Sequence, residues 1–461
     1  MNRTSIISRS AVVVLLVAGL ACSADIPPTV PPSMSLDARP RQAIGPWGAI
    51  PILAMPKQDP DLVELGRALF FDPILSGNRD VSCATCHHPS THAGDGLSLA
   101  IGTGATGEGI ARQPGEGRSF LPRHSPSLLN SGLGTFYALW DGRVNGRGAF
   151  GDVPGFFQSP AGGLLPSGLT NIVAAQAMFP VANRAEMRGQ PGDLDINGAE
   201  NELALIPDDD WPAIWRAVMH RVMSVPEYVA MFEAAYPGIS RSGFTFREAA
   251  NAIAAFQLEE LTRVDTPFDR YLRRDDFALS TQEKEGALLF FGEARCANCH
   301  SGPLLGSQQF ANAGVPQIGP GMSSQPPLDL GRGEMEEHPF YDFAFRVAPL
   351  RNVELTAPYM HNGAYATLEA VIDHYDDVPT ALREYDVSQL DPSLRASHHG
   401  DEAAISAILE RLDHRLSQPL ELTVAEKQKL IAFLKALTDP SARSLAGIAP
   451  TSVPSGLPMR E

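Results

Sequence analysis

Two short motifs of the same spacing carry the most distinctive chemistry in the chain. They read Cys83-Ala84-Thr85-Cys86-His87 and Cys296-Ala297-Asn298-Cys299-His300, and they contain four of the five cysteines. Cysteines three residues apart lie on one face of a helical turn, so both thiols can bond to the two vinyl groups of one haem while the next histidine faces the iron. Each motif therefore predicts a covalent haem c site, with His87 and His300 as the proximal iron ligands.

Zinc binding and thiol redox chemistry are the two alternatives to haem attachment for these cysteines. Zinc motifs usually bring their cysteine pairs within a few tens of residues, whereas Cys83 and Cys296 lie 213 residues apart (296 minus 83). A thiol-redox pair belongs in a βαβ context, which the surrounding sequence lacks. Two haems would suit an electron carrier with both faces of each iron occupied, or an enzyme with one open iron face. The motifs alone leave that choice open.

The segments that precede the motifs repeat, which indicates two related domains. Residues 64–71 (ELGRALFF) come before the first motif and residues 284–291 (KEGALLFF) before the second. Strand-like alternation is scarce, and long stretches rich in glycine and proline predict loops. Capping boxes open three apolar-periodic stretches, at Thr245 with Glu248, Ser280 with Glu283, and Thr423 with Glu426. We therefore predict a mainly α chain of two haem domains with long loops.

Composition and the first residues limit the partners and the compartment. The 461 residues include 36 Lys plus Arg and 53 Asp plus Glu, a net charge of −17 that disfavours nucleic acid. Basic residues, a short apolar run and small residues around Cys22 give residues 1–24 the layout of a secretory signal. No stretch reaches the ~20 apolar residues of a transmembrane span. Cys22 resembles a lipobox cysteine, which predicts a lipid anchor, while cleavage after Ala24 would release a soluble protein.

The signal sequence predicts that the protein is exported to the periplasm or the outer cell envelope. The motifs and the internal repeat divide the chain into five parts. The predicted parts are a signal peptide (1–24), a Pro-rich leader (25–54), an N-terminal haem domain (55–264), a C-terminal haem domain (265–442) and a flexible tail (443–461).

Four further motifs resemble those of the bacterial di-haem cytochrome c peroxidase and MauG family. They occupy residues 123–130 (RHSPSLLN), 139–143 (LWDGR), 349–353 (PLRNV) and 356–363 (TAPYMHNG). The resemblance implies two cytochrome c-like domains, with a peroxidatic haem in the first and an electron-transfer haem in the second. It implies reduction of hydrogen peroxide with electrons from a small redox protein, a cytochrome c or a cupredoxin. The alternatives are a MauG-like enzyme that oxidises a residue of a partner protein and a non-enzymatic di-haem electron carrier.

The resemblance also assigns residues to the peroxide site. Gln176 and Glu186 match the family's glutamine and glutamate, ten residues apart, that flank the peroxide. A carboxylate beside an open iron can take the proton of bound hydroperoxide and return it to the distal oxygen. Trp140 matches the indole that lies between the haems. Thr103 stands where many members have a histidine that closes the peroxidatic iron, so we expect that iron to be open.

The resemblance also implies ligands for the second haem and for a calcium ion. Members use a methionine or, in MauG, a tyrosine as the second axial ligand, and Tyr375 is our first choice, His374 the second and Met360 the third. The family's calcium site is matched at Thr356 and Pro358 but has His124 in place of an asparagine. Calcium and a homodimer are further expectations, and residues 145–169 resemble an insertion.

Overall fold

A computed structural model describes residues 34–52, 55–133, 136–146, 157–322 and 324–460. The predicted signal peptide, Cys22 and the start of the Pro-rich leader lie outside these residues, as do residues 147–156 of the predicted insertion. In the described part of the chain, no helix combines the length and the apolar character needed to cross a membrane.

The described chain is mainly helical, as predicted. The α-helices are α1 (Arg39–Ile44), α2 (Pro60–Phe71), α3 (Cys83–Cys86), α4 (Ile172–Ala177), α5 (Trp211–Val222), α6 (Pro226–Ala235), α7 (Phe246–Glu260), α8 (Pro267–Leu272), α9 (Thr281–Phe290), α10 (Arg332–Glu336), α11 (Leu368–Asp376), α12 (Val378–Arg383), α13 (Glu402–Leu409) and α14 (Val424–Lys435). The strands are β1 (Tyr137–Ala138), β2 (Val144–Gly146), β3 (Phe157–Gln158), β4 (Phe310–Ala311) and β5 (Phe345–Arg346). They pair antiparallel as β1-β2-β3 and β4-β5. The three predicted capping boxes open α7, α9 and α14.

The sequence repeat builds two helix pairs of the same design. A Cβ atom on Gly66 of α2 would lie 1.9 Å from the carbonyl oxygen of Ala252 on α7, and one on Gly286 of α9 would lie 2.0 Å from that of Lys429 on α14. The helices of each pair therefore pack backbone to backbone, which only glycine permits. Each pair also packs two consecutive phenylalanines against a third, with ring centroids 5.0 to 6.1 Å apart: Phe70 and Phe71 on Phe256, and Phe290 and Phe291 on Phe433.

Each helix pair lies in one of two hydrophobic cores. A cluster of buried charged side chains joins the two cores. The first core surrounds α2 and α7, and the second surrounds α9 and α14. Arg123 donates from Nε and Nη2 to the two oxygens of Asp329, at 2.7 and 2.8 Å, and from Nη1 to Asp141 at 2.5 Å. Arg123 and Asp141 precede α7 while Asp329 follows α9, so the cluster ties the two units together.

Both ends of the described chain pack against the body. Ala43, Ile44 and Ala49 are buried in the second core, so the ordered body begins before residue 55, where the sequence placed its start. The tail predicted to be flexible lies against the first core, where Leu445, Ile448 and Val453 are buried. The physical reason is burial: these apolar side chains cover a surface of the N-terminal unit that would otherwise face water.

Candidate functional site

One cavity of about 380 Å³ connects the two predicted haem sites. His87 lines it from the first motif, and Cys296, Cys299 and His300 line it from the second. Trp140 and Gln176 also line this cavity. The fold thus brings together both predicted proximal ligands and two of the three predicted catalytic side chains.

The local backbone positions each motif as a helical turn. The first motif forms α3, whose capping box has the Ser82 amide donating to Thr85 Oγ1 at 2.9 Å. The amide of His87 donates to the carbonyl of Cys83 at 3.0 Å, and that of His300 donates to the carbonyl of Cys296 at 2.9 Å. In both motifs the histidine therefore follows directly on the turn that carries the two thiols.

Both histidines are held in the form that binds a metal through Nε2. Nδ1 of His87 lies 3.1 Å from the carbonyl oxygen of Ala93, and Nδ1 of His300 lies 3.2 Å from that of Leu305. A carbonyl only accepts, so Nδ1 carries the hydrogen and Nε2 keeps its lone pair. Burial lowers the pKa of each imidazole to about 4, which keeps both rings neutral at pH 7.

The cysteines are not arranged for thiolate chemistry. Burial raises the pKa of Cys83 to about 12, that of Cys86 to about 11 and that of Cys296 to about 12. Metal binding and thiol exchange both use the thiolate, which these surroundings disfavour. Among the described residues, no group of three or more His, Cys, Asp or Glu side chains could hold a metal ion. The thiol-redox alternative therefore loses support, and attachment through thioethers fits the site.

Glu186 lies on a π-helical turn, Arg184–Arg188, whose first amides are capped by Asn183. Its carboxylate accepts a hydrogen bond from Asn183 Nδ2 at 3.0 Å, and it does not line the cavity directly. Burial raises its pKa, which the charge of Arg143 opposes. A raised pKa brings a carboxyl group closer to the pH at which it can both take and give a proton.

Thr103 packs beside this turn, where both its amide and its hydroxyl are hydrogen-bonded. Its amide donates to the carbonyl of Glu186 at 2.8 Å, and its hydroxyl donates to Asp80 Oδ1 at 2.7 Å. Thr103 is not among the residues that line the cavity. The side chain at the position of the family's closing histidine is therefore engaged elsewhere.

The position of Trp140 fits a link between the two sites. Its indole Nε1 donates to the carbonyl of His124 at 2.9 Å, and its own carbonyl accepts from the amide of Arg346 at 2.8 Å. Arg346 lines the same cavity, and sequence reasoning missed it. Its Nε is buried and has no hydrogen-bond partner in the described structure, and burial lowers its pKa to about 10. The signal in the sequence was a cation three residues before Pro349 at the start of a recognised motif.

The candidate ligands of the second haem differ in their surroundings. Tyr375 lines the cavity, and burial raises its pKa, with the charges of Cys299 and Cys296 adding to the effect. Met360 also lines the cavity. His374 does not, because its Nδ1 lies 2.8 Å from the hydroxyl of Tyr365 and its Nε2 lies 2.8 Å from the carbonyl of Ala313. The geometry therefore favours Tyr375 or Met360 over His374.

The side chains at the expected calcium site bond within the protein. His124 Nδ1 lies 2.8 Å from the carbonyl of Leu97, and the hydroxyl of Thr356 donates to the carbonyl of Val353 at 3.1 Å. Any cation there would depend on backbone carbonyls, and calcium stays a prediction.

The residues around the cavity fit haem c. Each motif supplies two thiols and a neutral imidazole with a free Nε2, and Arg346 supplies a buried cation with an unpartnered donor. A buried cation needs an anionic partner, and the carboxylates of a haem would provide one.

Comparisons with known proteins show which family the chain is similar to. The profile of a family described as di-haem cytochrome c peroxidase matches residues 60–277. The chain is 30% identical over 389 residues to "Methylamine utilization protein MauG" of Methylorubrum extorquens, covering 84% of this chain and 81% of that one. It is 32% identical over 300 residues to "Cytochrome c551 peroxidase" of Pseudomonas aeruginosa, covering 65% and 67%. A crystal structure of "a MauG-like protein associated with microbial copper homeostasis" aligns with a TM-score of 0.57 at 27% identity, covering 87% and 96%.

Proposed function

The chain belongs to the di-haem cytochrome c peroxidase family, and we propose that it reduces hydrogen peroxide to water at the haem held by His87. Electrons would enter at the haem held by His300 and pass by Trp140. The observation that carries this proposal is the single cavity lined by both histidines, the indole and Gln176. An electron carrier with both irons fully ligated would not need the half-buried glutamate beside the first site.

The residues of the first site divide the work of proton transfer and orientation. Haem iron supplies the redox chemistry when bound. Hydrogen peroxide would enter the cavity beside Gln176, whose amide can orient it by hydrogen bonds. Glu186 would take the proton of the inner oxygen and return it to the outer oxygen, which leaves as water. The hydrogen bond from His87 to the Ala93 carbonyl would hold the imidazole in its ligating tautomer.

At the second site, we propose Tyr375 as the distal ligand. It lines the same cavity as Cys296, Cys299 and His300. A tyrosine oxygen bound to the iron would lower the reduction potential and favour higher oxidation states, whereas methionine would raise the potential.

We further propose that the protein is exported and receives its electrons from a small redox protein. Its net charge of −17 would attract a basic donor. Anchoring through Cys22, calcium binding and a homodimer remain predictions from the sequence.

A MauG-like reaction, the oxidation of a residue of a partner protein, is the second candidate. It is favoured by the position of Thr103, whose hydroxyl bonds to Asp80 while no histidine takes its place. An iron open without prior reduction suits an enzyme that reacts with peroxide first. Slow turnover with reduced small cytochromes, combined with a fast reaction with peroxide, would favour this candidate over the first.

The decisive experiment is the optical spectrum of the fully oxidised, haem-loaded protein before and after one equivalent of hydrogen peroxide, with no reductant. We expect an immediate change in the Soret band, because Thr103 stands at the position of the closing histidine and its hydroxyl bonds to Asp80. A spectrum that changes only after one-electron reduction would contradict the open site but keep the peroxidase. A spectrum unchanged under both conditions would contradict the peroxidase itself.

A further inference from the structure

A row of aromatic side chains leads from the second haem site to the surface. The ring centroids of Tyr375 and His374 are 5.4 Å apart, those of His374 and Tyr365 5.0 Å, and those of Tyr365 and Tyr385 5.5 Å. The last step, from Tyr385 to His398, is 5.2 Å. We call these five side chains the aromatic row: Tyr375, His374, Tyr365, Tyr385 and His398. The ring centroids of neighbouring members of the aromatic row therefore lie between 5.0 and 5.5 Å apart.

One pair in the aromatic row is arranged for proton transfer. The hydroxyl of Tyr365 lies 2.8 Å from His374 Nδ1, and His374 Nε2 lies 2.8 Å from the carbonyl of Ala313. Because the carbonyl only accepts, Nε2 carries the hydrogen and Nδ1 presents its lone pair to the phenol. Tyr365 therefore donates to a basic nitrogen, and its proton has a place to go when the phenol loses an electron.

The aromatic row runs from a buried end to an accessible end. Tyr365 is 3% exposed and His374 is 1% exposed. Tyr385 and His398 are only half-buried, and the hydroxyl of Tyr385 donates to the carbonyl of Ala364. Tyr375 lines the haem cavity at the other end. The aromatic row thus joins a cavity that would receive oxidising equivalents to a surface that a donor can reach.

We propose that Tyr365 is a redox-active residue that carries oxidising equivalents from the second haem site to one-electron donors at the Tyr385 surface. The proposal rests on the proposed function, because peroxide is the oxidant. It adds a second substrate class, small organic one-electron donors such as phenols, to the redox protein that supplies electrons in that function.

The electrons and protons of this step balance. Hydrogen peroxide takes up two electrons and two protons to give two waters, and the protein is left two electrons short. One electron leaves Tyr365 towards the second haem site, and the phenolic proton moves to Nδ1 of His374. A donor at the surface returns an electron through Tyr385, and the proton moves back to the oxygen of Tyr365. Each peroxide can therefore oxidise two donor molecules by one electron each.

The test is rapid-freeze electron paramagnetic resonance of the haem-loaded protein after one equivalent of peroxide, without donor. Protein made with ring-deuterated tyrosine identifies a tyrosyl signal by its narrowed hyperfine pattern. We expect a tyrosyl radical in the wild type, its loss in Tyr365→Phe, and its persistence in Tyr236→Phe. Tyr236 is a matched control because its hydroxyl also bonds within the fold, to the carbonyl of Glu248 in the first core.

A second variant tests the exit towards the surface. Tyr385→Phe should keep the radical on Tyr365 and prolong its lifetime, and should slow peroxide-dependent oxidation of the donor ABTS. Haem content and circular dichroism check that each variant is folded, and Tyr385→Phe carries the test alone if Tyr365→Phe does not fold.

The outcomes separate this proposal from the proposed function. An optical response to peroxide with no tyrosyl radical in the wild type would overturn the relay and leave the peroxidase standing. A radical that persists in Tyr365→Phe, or a radical lifetime that Tyr385→Phe leaves unchanged, would also overturn it. If the wild type shows no optical response even after one-electron reduction, both proposals are wrong.

Discussion

Replacing Glu186 with glutamine isolates the proton transfer on which the proposed reaction depends. Glutamine has the shape of glutamate, and its side-chain oxygen can still accept the hydrogen bond from Asn183 Nδ2, which is 3.0 Å long in the structure. The substitution therefore leaves the π-helical turn intact and removes only the group that can take and return a proton. Positioned acid–base groups contribute about 100- to 10,000-fold to a rate. At 1.36 kcal/mol per tenfold, this corresponds to about 3 to 5 kcal/mol of barrier.

The pKa of Glu186 adds a pH signature to this prediction. Burial raises the pKa, so the carboxylate becomes protonated at a higher pH than an exposed glutamate would. The proposed role begins with a deprotonated group. The wild-type rate with peroxide should therefore fall as the pH is lowered through the raised pKa, whereas the rate of Glu186→Gln should show no such fall.

The assay is the stopped-flow change in the Soret band on mixing with peroxide, measured across pH at constant ionic strength. Glu116→Gln is the matched control, since Glu116 is exposed on a neighbouring loop. We expect the control to react as the wild type does. A Glu186→Gln rate within a few-fold of the wild type, or an unchanged pH profile, would refute the assignment of Glu186 as the proton-transfer group.

Three more predictions concern the link between the sites, the second haem and the fold. Trp140→Phe should slow electron transfer between the haems without preventing the reaction with peroxide, as stopped-flow reduction of each haem would show; an unchanged transfer rate would remove the relay role. Tyr375→Phe should raise the reduction potential of the second haem, and spectroelectrochemistry that finds no shift would exclude the tyrosine ligand. Asp269→Asn leaves Arg351, its fully buried partner at 2.6 Å, without a counter-charge. It should cost about 3 to 5 kcal/mol in denaturant unfolding, against at most about 1 kcal/mol for exposed Asp265→Asn.

The two CxxCH turns and the capped helices could be predicted from the sequence because their signals are local. A CxxCH turn needs only five consecutive residues, and the capping boxes before α7, α9 and α14 need only four. The internal repeat was also visible, because Gly66 and Gly286 must both be glycine for their helices to pack against a later helix at backbone distance. Features fixed by short spacing and by backbone contact can be read from a sequence.

Structural features that depend on contacts between residues far apart in the chain could not be predicted from the sequence. The sequence shows Arg346 only as a cation three residues before Pro349, and only the fold shows that it is buried at the cavity beside Trp140. The apolar residues of the tail are too sparse to predict a helix, yet Leu445 and Ile448 are buried in the first core. His374 is a plausible iron ligand from its position on α11. In the structure, however, both of its ring nitrogens form hydrogen bonds, one with Tyr365 and one with Ala313, and so do not face the haem site.

The shared cavity lies where the two units are held together. Trp140 and Arg346 are joined by a backbone hydrogen bond, and Arg123 fixes the Trp140 segment through Asp141 while it reaches Asp329 of the second unit. A shift of one unit against the other would move the indole and the buried cation together. Breaking a buried ion pair by removing one partner is strongly destabilising, so this cluster helps to hold the two units against each other. In the proposed function, we expect the ligands and protons at each site to control electron flow, and Glu186, Tyr375 and the Tyr365–His374 pair are the groups that would do so.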